Sequence, residues 1–496
     1  LSWQKWAWLR LLRAVGGTCL AVWAGLAARR LPNTADFSGV LWFWLFGVYW
    51  FLVAFVPAVK VQEIWPRLTR WLRDDRVELA CLAALLLAAL AVRVVDLEHI
   101  PPTLGGDEGT QGIEALSIFG PPLTNPFSTG WYDVPTISFV LYGLWMQIFG
   151  STVAGLRTLP ALVGAITVLT TFLLARELWG RRVAWFSALA IAFGHFHLHY
   201  SRLGSNQIGD GLFVTLTLWL LALGLRSRRA IHFALAGAVL GLGWYGYYGA
   251  RLIGIVVAFY LTGLAVVESH FLSRYGRFFL VLLIAALVVM APLLFHFAAH
   301  PDVLVSRTRE VNVLASGWLA ERRAATGHST ARVLLEQFWK SVTAFNYTLD
   351  PRYWYRATIP LLDFVSGGLL IVGMACVIGR RCWRSDGLLL IWFWAAVILG
   401  WTLTENPPSS MRLVIVAPAL ALLVGIGLDG LLTLSQRVLG GKPRNWDRVA
   451  AFLLGTVAVL NVHYYFVVYT PKRIYGDPTG EIATVLSRYL AERNDG

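Results

Sequence analysis

The chain alternates between long apolar stretches and short polar breaks. Apolar segments fall near residues 12–28, 38–59, 78–95, 134–149, 157–176, 183–200, 205–225, 231–248, 252–268, 277–297, 359–379, 387–404, 412–434 and 448–469. Most approach the roughly 20 residues that a helix needs to cross the hydrocarbon core of a bilayer. A membrane barrel would instead show alternating segments of about ten residues. The pattern predicts an all-α polytopic membrane protein.

Charge between the segments decides which of them cross. Short basic loops belong on the cytoplasmic face. The candidates are "RLTRWLRDDR" (67–76), "RELWGRR" (176–182), "RSRR" (226–229), "SRYGR" (273–277), "RRCWR" (380–384) and "RVLGGKPRNWDR" (437–448). If 134–149 crossed, every basic loop after it would lie opposite 67–76. Keeping 134–149 on the outer surface, as a re-entrant or juxtamembrane helix, returns all six loops to the inside. The expected architecture is about thirteen transmembrane helices plus extracytoplasmic juxtamembrane helices, with the N-terminus inside and the C-terminus outside.

This topology divides the chain into four parts. Residues 1–75 form an accessory N-terminal transmembrane pair. Residues 76–300 form the core expected to carry the chemistry, with a first outer loop at 96–156. A second outer loop spans 301–358, where the amphipathic stretches 302–320 and 332–346 suit interfacial helices. Residues 359–496 supply the C-terminal transmembrane helices and a short outer tail. No internal repeat of the kind found in inverted-repeat transporters is visible.

Composition narrows the class. Of 496 residues, 57% are hydrophobic and 14% charged, and 42 Lys and Arg against 28 acids give a net charge of +14. The basic cytoplasmic loops account for that excess. Nucleic acid is not an expected partner, because the arginines are dispersed between spans and form no stripe. Cys19, Cys81, Cys376 and Cys382 are far apart and lie mostly in apolar runs, so neither a disulfide framework nor a zinc motif is expected. Lys5, Arg10 and Arg13 precede the first apolar stretch as in a signal peptide. No small-residue cleavage site follows, so an uncleaved first span is expected.

The polar chemistry gathers in the outer loops. In "HIPPTLGGDEGTQGIEAL" (99–116), Asp107 and Glu108 follow a Gly-Gly, and helical spacing puts Asp107, Gln111 and Glu114 on one face. Ile113, Leu116 and Phe119 supply an apolar side. Acids at a helix start also favour the helix dipole, but capping needs only one. In "HLHYSRLGSNQIGDGLF" (197–213), Arg202, Asn206 and Asp210 would share a face if the stretch were helical. An Arg202–Asp210 ion pair stabilising the turn is the structural alternative. "WYGYYGARL" (244–252) brings Tyr245, Tyr247 and Arg251 to another outer end, where an aromatic belt would explain the tyrosines. Arg157, Arg307, Arg309 and Arg412 reach the same face. Guanidiniums at that depth suit a lipid phosphate, and the acids suit a hydroxyl-bearing partner. His195 and His199 have the spacing of a helical metal pair or of interfacial polar residues, and no third ligand can be assigned.

Taken in order, these residues resemble the type C membrane glycosyltransferases that use polyprenyl-phosphate-linked sugars. The nearest branch is the superfamily of protein O-mannosyltransferases and lipid A aminoarabinose transferases. The resemblance rests on the outer Asp107-Glu108, on the span "RLPALVGAITVLTTFLLARELWGRR" (157–182), and on the following Ser201, Arg202 and Asp210. It covers roughly 78–300. The chain departs from the family at two points. Asp210 follows Arg202 at a greater distance than in the mannosyltransferases. No Glu-Lys pair occurs between 117 and 150, where "YDVPTISF" (132–139) stands.

The resemblance implies an integral protein of a bacterial inner or plasma membrane with an extracytoplasmic active site. It implies transfer from a polyprenyl-phosphate sugar to an extracytoplasmic lipid, glycan or protein acceptor, with inversion at the anomeric carbon. Phosphate is already a good leaving group, so the reaction needs a base at the acceptor and cations on the phosphate. Asp107 is then the expected base, with Glu108 or Asp210 orienting the acceptor or a divalent metal. Arg202, Arg251, Arg412 and Arg157 are candidates for the donor phosphate. Asn206, Tyr245, Tyr247 and Gln111 are candidates for substrate contacts, among membrane lipids as neighbours. A double displacement would instead need two carboxylates about 5–5.5 Å apart. The rival readings are a lipid or solute transporter, which would place ionisable groups at mid-membrane depth, and a structural subunit of a membrane complex.

Overall fold

The computed structural model describes residues 2–57, 75–380, 382–440 and 442–493. Most of the basic loop 67–76 lies outside them. No strand forms among the described residues, and isolated bridges join Thr129 to Pro135 and Asn312 to Thr404. In a bilayer every backbone polar group must be paired within the protein, which continuous helices achieve.

Nine helices are long and apolar enough to cross a membrane among the described residues. Ser38–Val53, Ala230–Gly243, Phe364–Arg380 and the pair Arg181–Phe193 and His195–Tyr200 make further passages between the same two ends. Together they reproduce the expected count of about thirteen. Gly180, at φ +91°, turns the chain tightly between Val153–Leu178 and Arg181–Phe193, a backbone state that favours glycine.

Thr136–Phe149 is the exception. It is as long as Ala230–Gly243, at 14 residues each, but both of its ends belong to one end of the molecule. Before it, Asp133 accepts a hydrogen bond from Ser306; after it, the Ala154 amide donates to Glu98. It packs instead against Gly106–Ile118.

Ser410–Leu439 is the central helix, with 94% of its apolar window enclosed by the rest of the protein, against 28% for Arg76–Val94. The first helix pair packs on Phe271–Ala299, where the Trp44 indole donates to the Val289 carbonyl at 3.0 Å.

The two ends differ in character. One gathers the short basic turns around 76–78, 176–182, 226–229, 268–277, 380–386 and 429–447, joined by ion pairs such as Arg181–Glu78, Arg182–Asp429 and Arg384–Glu268. The other gathers the long loops 95–156, 298–363 and 403–412 with the tail from Tyr469 onward. The expected helix 302–320 is broken into Pro301–Val311 and Trp318–Thr326, where Gly317 adopts φ +84°. The second expected helix is present as Thr330–Thr343.

Candidate functional site at the loop-rich end

The acid pair opens the helix Gly106–Ile118, and its two side chains diverge. Glu108 turns inward and is completely buried. It accepts from the Gly105 amide (3.1 Å), closing the helix start, and from the Gly204 amide (2.6 Å) and the Tyr475 hydroxyl (2.8 Å). The Arg157 guanidinium grips both of its oxygens at 2.9 and 3.0 Å. Arg157 directs its remaining N–H groups to the carbonyls of Leu97, Pro101 and Thr103. Removing one partner of such a buried pair typically costs about 3–5 kcal/mol, because the other charge is left uncompensated. The structure thus corrects two expectations: Glu108 has no free oxygen for an acceptor or metal, and Arg157 has no free N–H for a phosphate.

Asp107 points the other way, half-buried in a crevice with Tyr353, Trp354, Tyr475, Gly476 and Asp477. Loss of water around its carboxyl pushes its pKa up to about 6. Arg307 opposes that shift, while Asp477 and Glu108 add to it. The expected apolar side of the helix faces outward. Ile113 and Leu116 are exposed, while Gln111, Gly112, Ala115 and Ile118 face the protein. An apolar exposed face suits a helix lying against lipid.

Residues 201–207 form turns, so Arg202, Asn206 and Asp210 do not share a helix face. The cause lies in tertiary contacts. Gly204 brings its amide to Glu108, and a Cβ there would collide with Leu156. Arg202 is fully buried and donates to the carbonyls of Val92, Arg93, Val95 and Ile100, sealing the end of Arg76–Val94. Both its terminal nitrogens are occupied there, so it too leaves the phosphate set. Asn206 donates to Ser138 at 3.2 Å, and its carbonyl oxygen is buried without a partner.

Asp210 is enclosed and accepts from the Ala250 amide at 3.0 Å. It pairs with neither Arg202 nor an open surface, and it holds the turn Tyr248–Arg251. That corrects the expectation of direct catalytic contact. Asp350 plays a similar part, accepting from the Ser410 amide at 2.9 Å just before Arg412.

The turn held by Asp210 borders a cavity of about 490 Å³. Arg251, Arg307 and Arg412 line it together with Tyr247, Tyr248 and Asn312. Arg251 stacks on Tyr248 at 4.3 Å, and two of its guanidinium nitrogens are buried without partners. Arg412 donates to the Glu405 carbonyl at 3.0 Å, and Arg307 to the Glu310 carboxylate at 2.6 Å. Away from the arginines the walls are apolar, formed by residues such as Leu252, Ile255, Leu399, Leu403 and Leu413. Ile255 and Leu399 are 41% and 39% exposed, so the cavity opens sideways toward the lipid-facing surface. Leu252–Val267 packs on Leu388–Ala395 farther down, and the cavity lies where the two helices diverge beside Ala396–Thr402.

Other sequence candidates fall elsewhere. Tyr245 is buried against the first helix pair, donating to the Val289 carbonyl at 3.0 Å, and so leaves the substrate set. Gln111 is buried with its amide nitrogen unpartnered. His195 meets the Tyr355 hydroxyl at 2.5 Å and His199 the Trp354 carbonyl at 2.7 Å, so both brace the loop beneath Asp107. Among the described residues no three His, Cys, Asp or Glu side chains are grouped to hold a metal. Sequence reasoning missed Tyr353, Asp350, Tyr475 and Asp477. The Gly-Asp-Pro turn at 476–478 was the one signal that the tail folds back.

Residues 133–296 match the family model described as dolichyl-phosphate-mannose-protein mannosyltransferase. A curated relative from Aquifex aeolicus (strain VF5), described as an uncharacterized protein, is 28% identical over 174 residues, or 34% of this chain and 35% of that protein. The match therefore spans about a third of the relative's length. Among solved structures, the chain is similar to ArnT from Cupriavidus metallidurans bound to undecaprenyl phosphate, with TM-score 0.54 and 14% identity over 82% of this chain and 75% of that chain. It is also similar to the archaeal oligosaccharyltransferase AglB from Archaeoglobus fulgidus, in complex with an inhibitory peptide and a dolichol-phosphate. There the TM-score is 0.50 and the identity 18%, over 82% of this chain and 57% of that chain. The resemblance to type C membrane glycosyltransferases therefore holds, at the level of fold across most of the chain and of sequence across 133–296.

Proposed function

We propose that the protein is an extracytoplasmic membrane glycosyltransferase that moves a sugar from a polyprenyl-phosphate donor to a hydroxyl-bearing acceptor with inversion. The observation that carries this reading is the Arg251 guanidinium. Two of its nitrogens are buried without hydrogen-bond partners at the head of an apolar cavity that opens sideways. Buried N–H groups left unpaired are costly, and an anionic headgroup with an apolar tail would satisfy both parts of such a cavity. The ligands named for ArnT and AglB, undecaprenyl phosphate and a dolichol-phosphate, are of that chemical kind.

In this reading the phosphate meets Arg251, Arg307 and Arg412, Tyr247 lines the same space, and the prenyl chain follows the apolar wall into the bilayer. Asp107 takes the acceptor's hydroxyl proton. The acceptor oxygen bonds to the anomeric carbon as the bond from that carbon to the phosphate oxygen breaks. The electron pair leaves on the polyprenyl phosphate, where the arginines stabilise it. Arg307 links the two halves electrostatically, since it lines the cavity and also lowers the Asp107 pKa. Glu108 and Arg157 fix the helix that presents Asp107, and Asp210 and Asp350 fix the segments that present Arg251 and Arg412. The basic turns at the opposite end support an extracytoplasmic site, by the tendency of short basic loops to lie in the cytoplasm.

The test is sugar transfer from polyprenyl-phosphate donors to a membrane acceptor extract by the purified protein. Transfer that vanishes in a folded Asp107→Asn variant supports the reading. Transfer at a near-normal rate by that variant would refute the base assignment.

A further inference from the structure

The tail carries the helix Pro478–Arg493, whose sequence is amphipathic. Ile482, Val485, Leu486, Tyr489 and Leu490 recur at i, i+3, i+4, i+7 and i+8, the spacing of one helix face. All five are exposed, from 46% for Tyr489 to 67% for Ile482. The inward face carries polar tethers instead. The Thr484 hydroxyl accepts from the Leu104 amide at 3.1 Å, and Arg488 donates to the Glu98 carbonyl at 3.3 Å. In a water-soluble protein such a stripe would be turned inward.

Its depth identifies what covers it. Glu98 lies four residues beyond the end of the span Arg76–Val94, whose outward face carries the exposed Leu87 and Val94. A helix tied to Glu98 and Leu104 therefore runs at the level where the lipid-facing belt ends. Its charges are balanced, with Arg488 and Arg493 against Glu481 and Glu492, and Arg473 paired with Glu481 at 2.9 Å. An exposed apolar stripe on a helix whose other positions are polar or charged is the pattern of a helix lying in a bilayer interface.

We infer that Pro478–Arg493 lies in the surface of the bilayer, with the Ile482–Leu490 stripe among the acyl chains and its charged residues among the headgroups. The consequence reaches Asp107, because the segment leading into this helix delivers Tyr475 to Glu108 and Asp477 to the Asp107 crevice. Membrane seating of the helix holds that strap in place.

The experiment uses the full chain with its native cysteines replaced, in nanodiscs containing phosphatidylglycerol. A nitroxide on Leu486→Cys is compared with one on the lipid-facing Leu87→Cys and one on Arg322→Cys, on the exposed polar helix Trp318–Thr326. The label at 486 should collide with oxygen in preference to a water-soluble nickel complex, as at 87. Nickel accessibility matching position 322 would overturn the inference. So would spin–spin broadening at 486, which would make a second copy of the chain the occupant.

Discussion

The arginines of the basic turns and Arg251 at the loop-rich end are held in different ways. At the basic end, Arg176 and Arg181 meet Glu78 at 3.0 and 3.2 Å, Arg226 meets Glu177 at 2.9 Å, and Arg384 meets Glu268 at 2.6 Å. Each of these arginines is at least 39% exposed, so water and a carboxylate share its charge. At the loop-rich end, Arg251 stacks on aromatic rings with unpaired N–H groups, and Arg412 comes no nearer than 4.0 Å to the Glu405 carboxylate. The positive-inside tendency explains the first set and not the second. Arg251 has no hydrogen-bonded carboxylate of its own, and on the proposed reading an anion from outside the chain completes it.

The comparison can be broken most severely at Asp107. Asp107→Asn should lower transfer by about 10²–10⁴ while leaving the folded yield intact, as expected for loss of a general base. Single-turnover rates with saturating donor measure it. Next comes the scaffold. Arg157→Ala leaves Glu108 buried and uncompensated, so a loss of about 3–5 kcal/mol in stability is expected. It should appear as a lowered unfolding temperature in detergent, and Glu108→Gln should act in the same direction. Unchanged stability would return Arg157 and Glu108 to the list of reacting groups.

A subtler effect is the pH profile. Because burial lifts the Asp107 pKa to about 6, the base is protonated and idle below that value. Transfer should rise as pH climbs through about 6 and then level off, and the rise should be absent in any residual activity of Asp107→Asn. The same raised pKa means that the folded state binds a proton more tightly than the unfolded chain. Its stabilising contribution is therefore full below the ordinary carboxylate range and is lost as pH rises through about 6. The smallest effect belongs to the basic end: Arg384→Gln should change stability by at most about 1 kcal/mol, since exposed pairs contribute little.

Much of the fold was legible because a bilayer imposes one length and one polarity on every crossing. The segments 157–176, 252–268 and 412–434 sit inside Val153–Leu178, Tyr248–Val267 and Ser410–Leu439, apart from one residue at 268. The charge count also placed 134–149 correctly at one end. The site was legible only in part. Arg157 and Arg202 look like Arg251 and Arg412 in sequence, each an arginine at the start or end of an apolar run. What separates them is where their hydrogen bonds go. Arg202 reaches carbonyls more than 100 residues away, and Glu108 is completed by Tyr475 from 367 residues away. No local periodicity encodes such partners. The condition that 197–213 be helical is met only up to Tyr200 and from Ile208, since Gly204 between them serves Glu108.

The most direct measurement removes one guanidinium from each end and reads the affinity for polyprenyl phosphate in nanodiscs. Loss of a hydrogen bond to a charged group is worth about 1.5–3 kcal/mol. Arg251→Gln should therefore weaken binding roughly ten- to a hundredfold, given about 1.4 kcal/mol per factor of ten. Arg384→Gln should leave it unchanged. Equal affinities for the two variants and the unmodified protein would contradict the account, because Arg251 would then be a packed structural cation and the cavity would not hold a lipid phosphate.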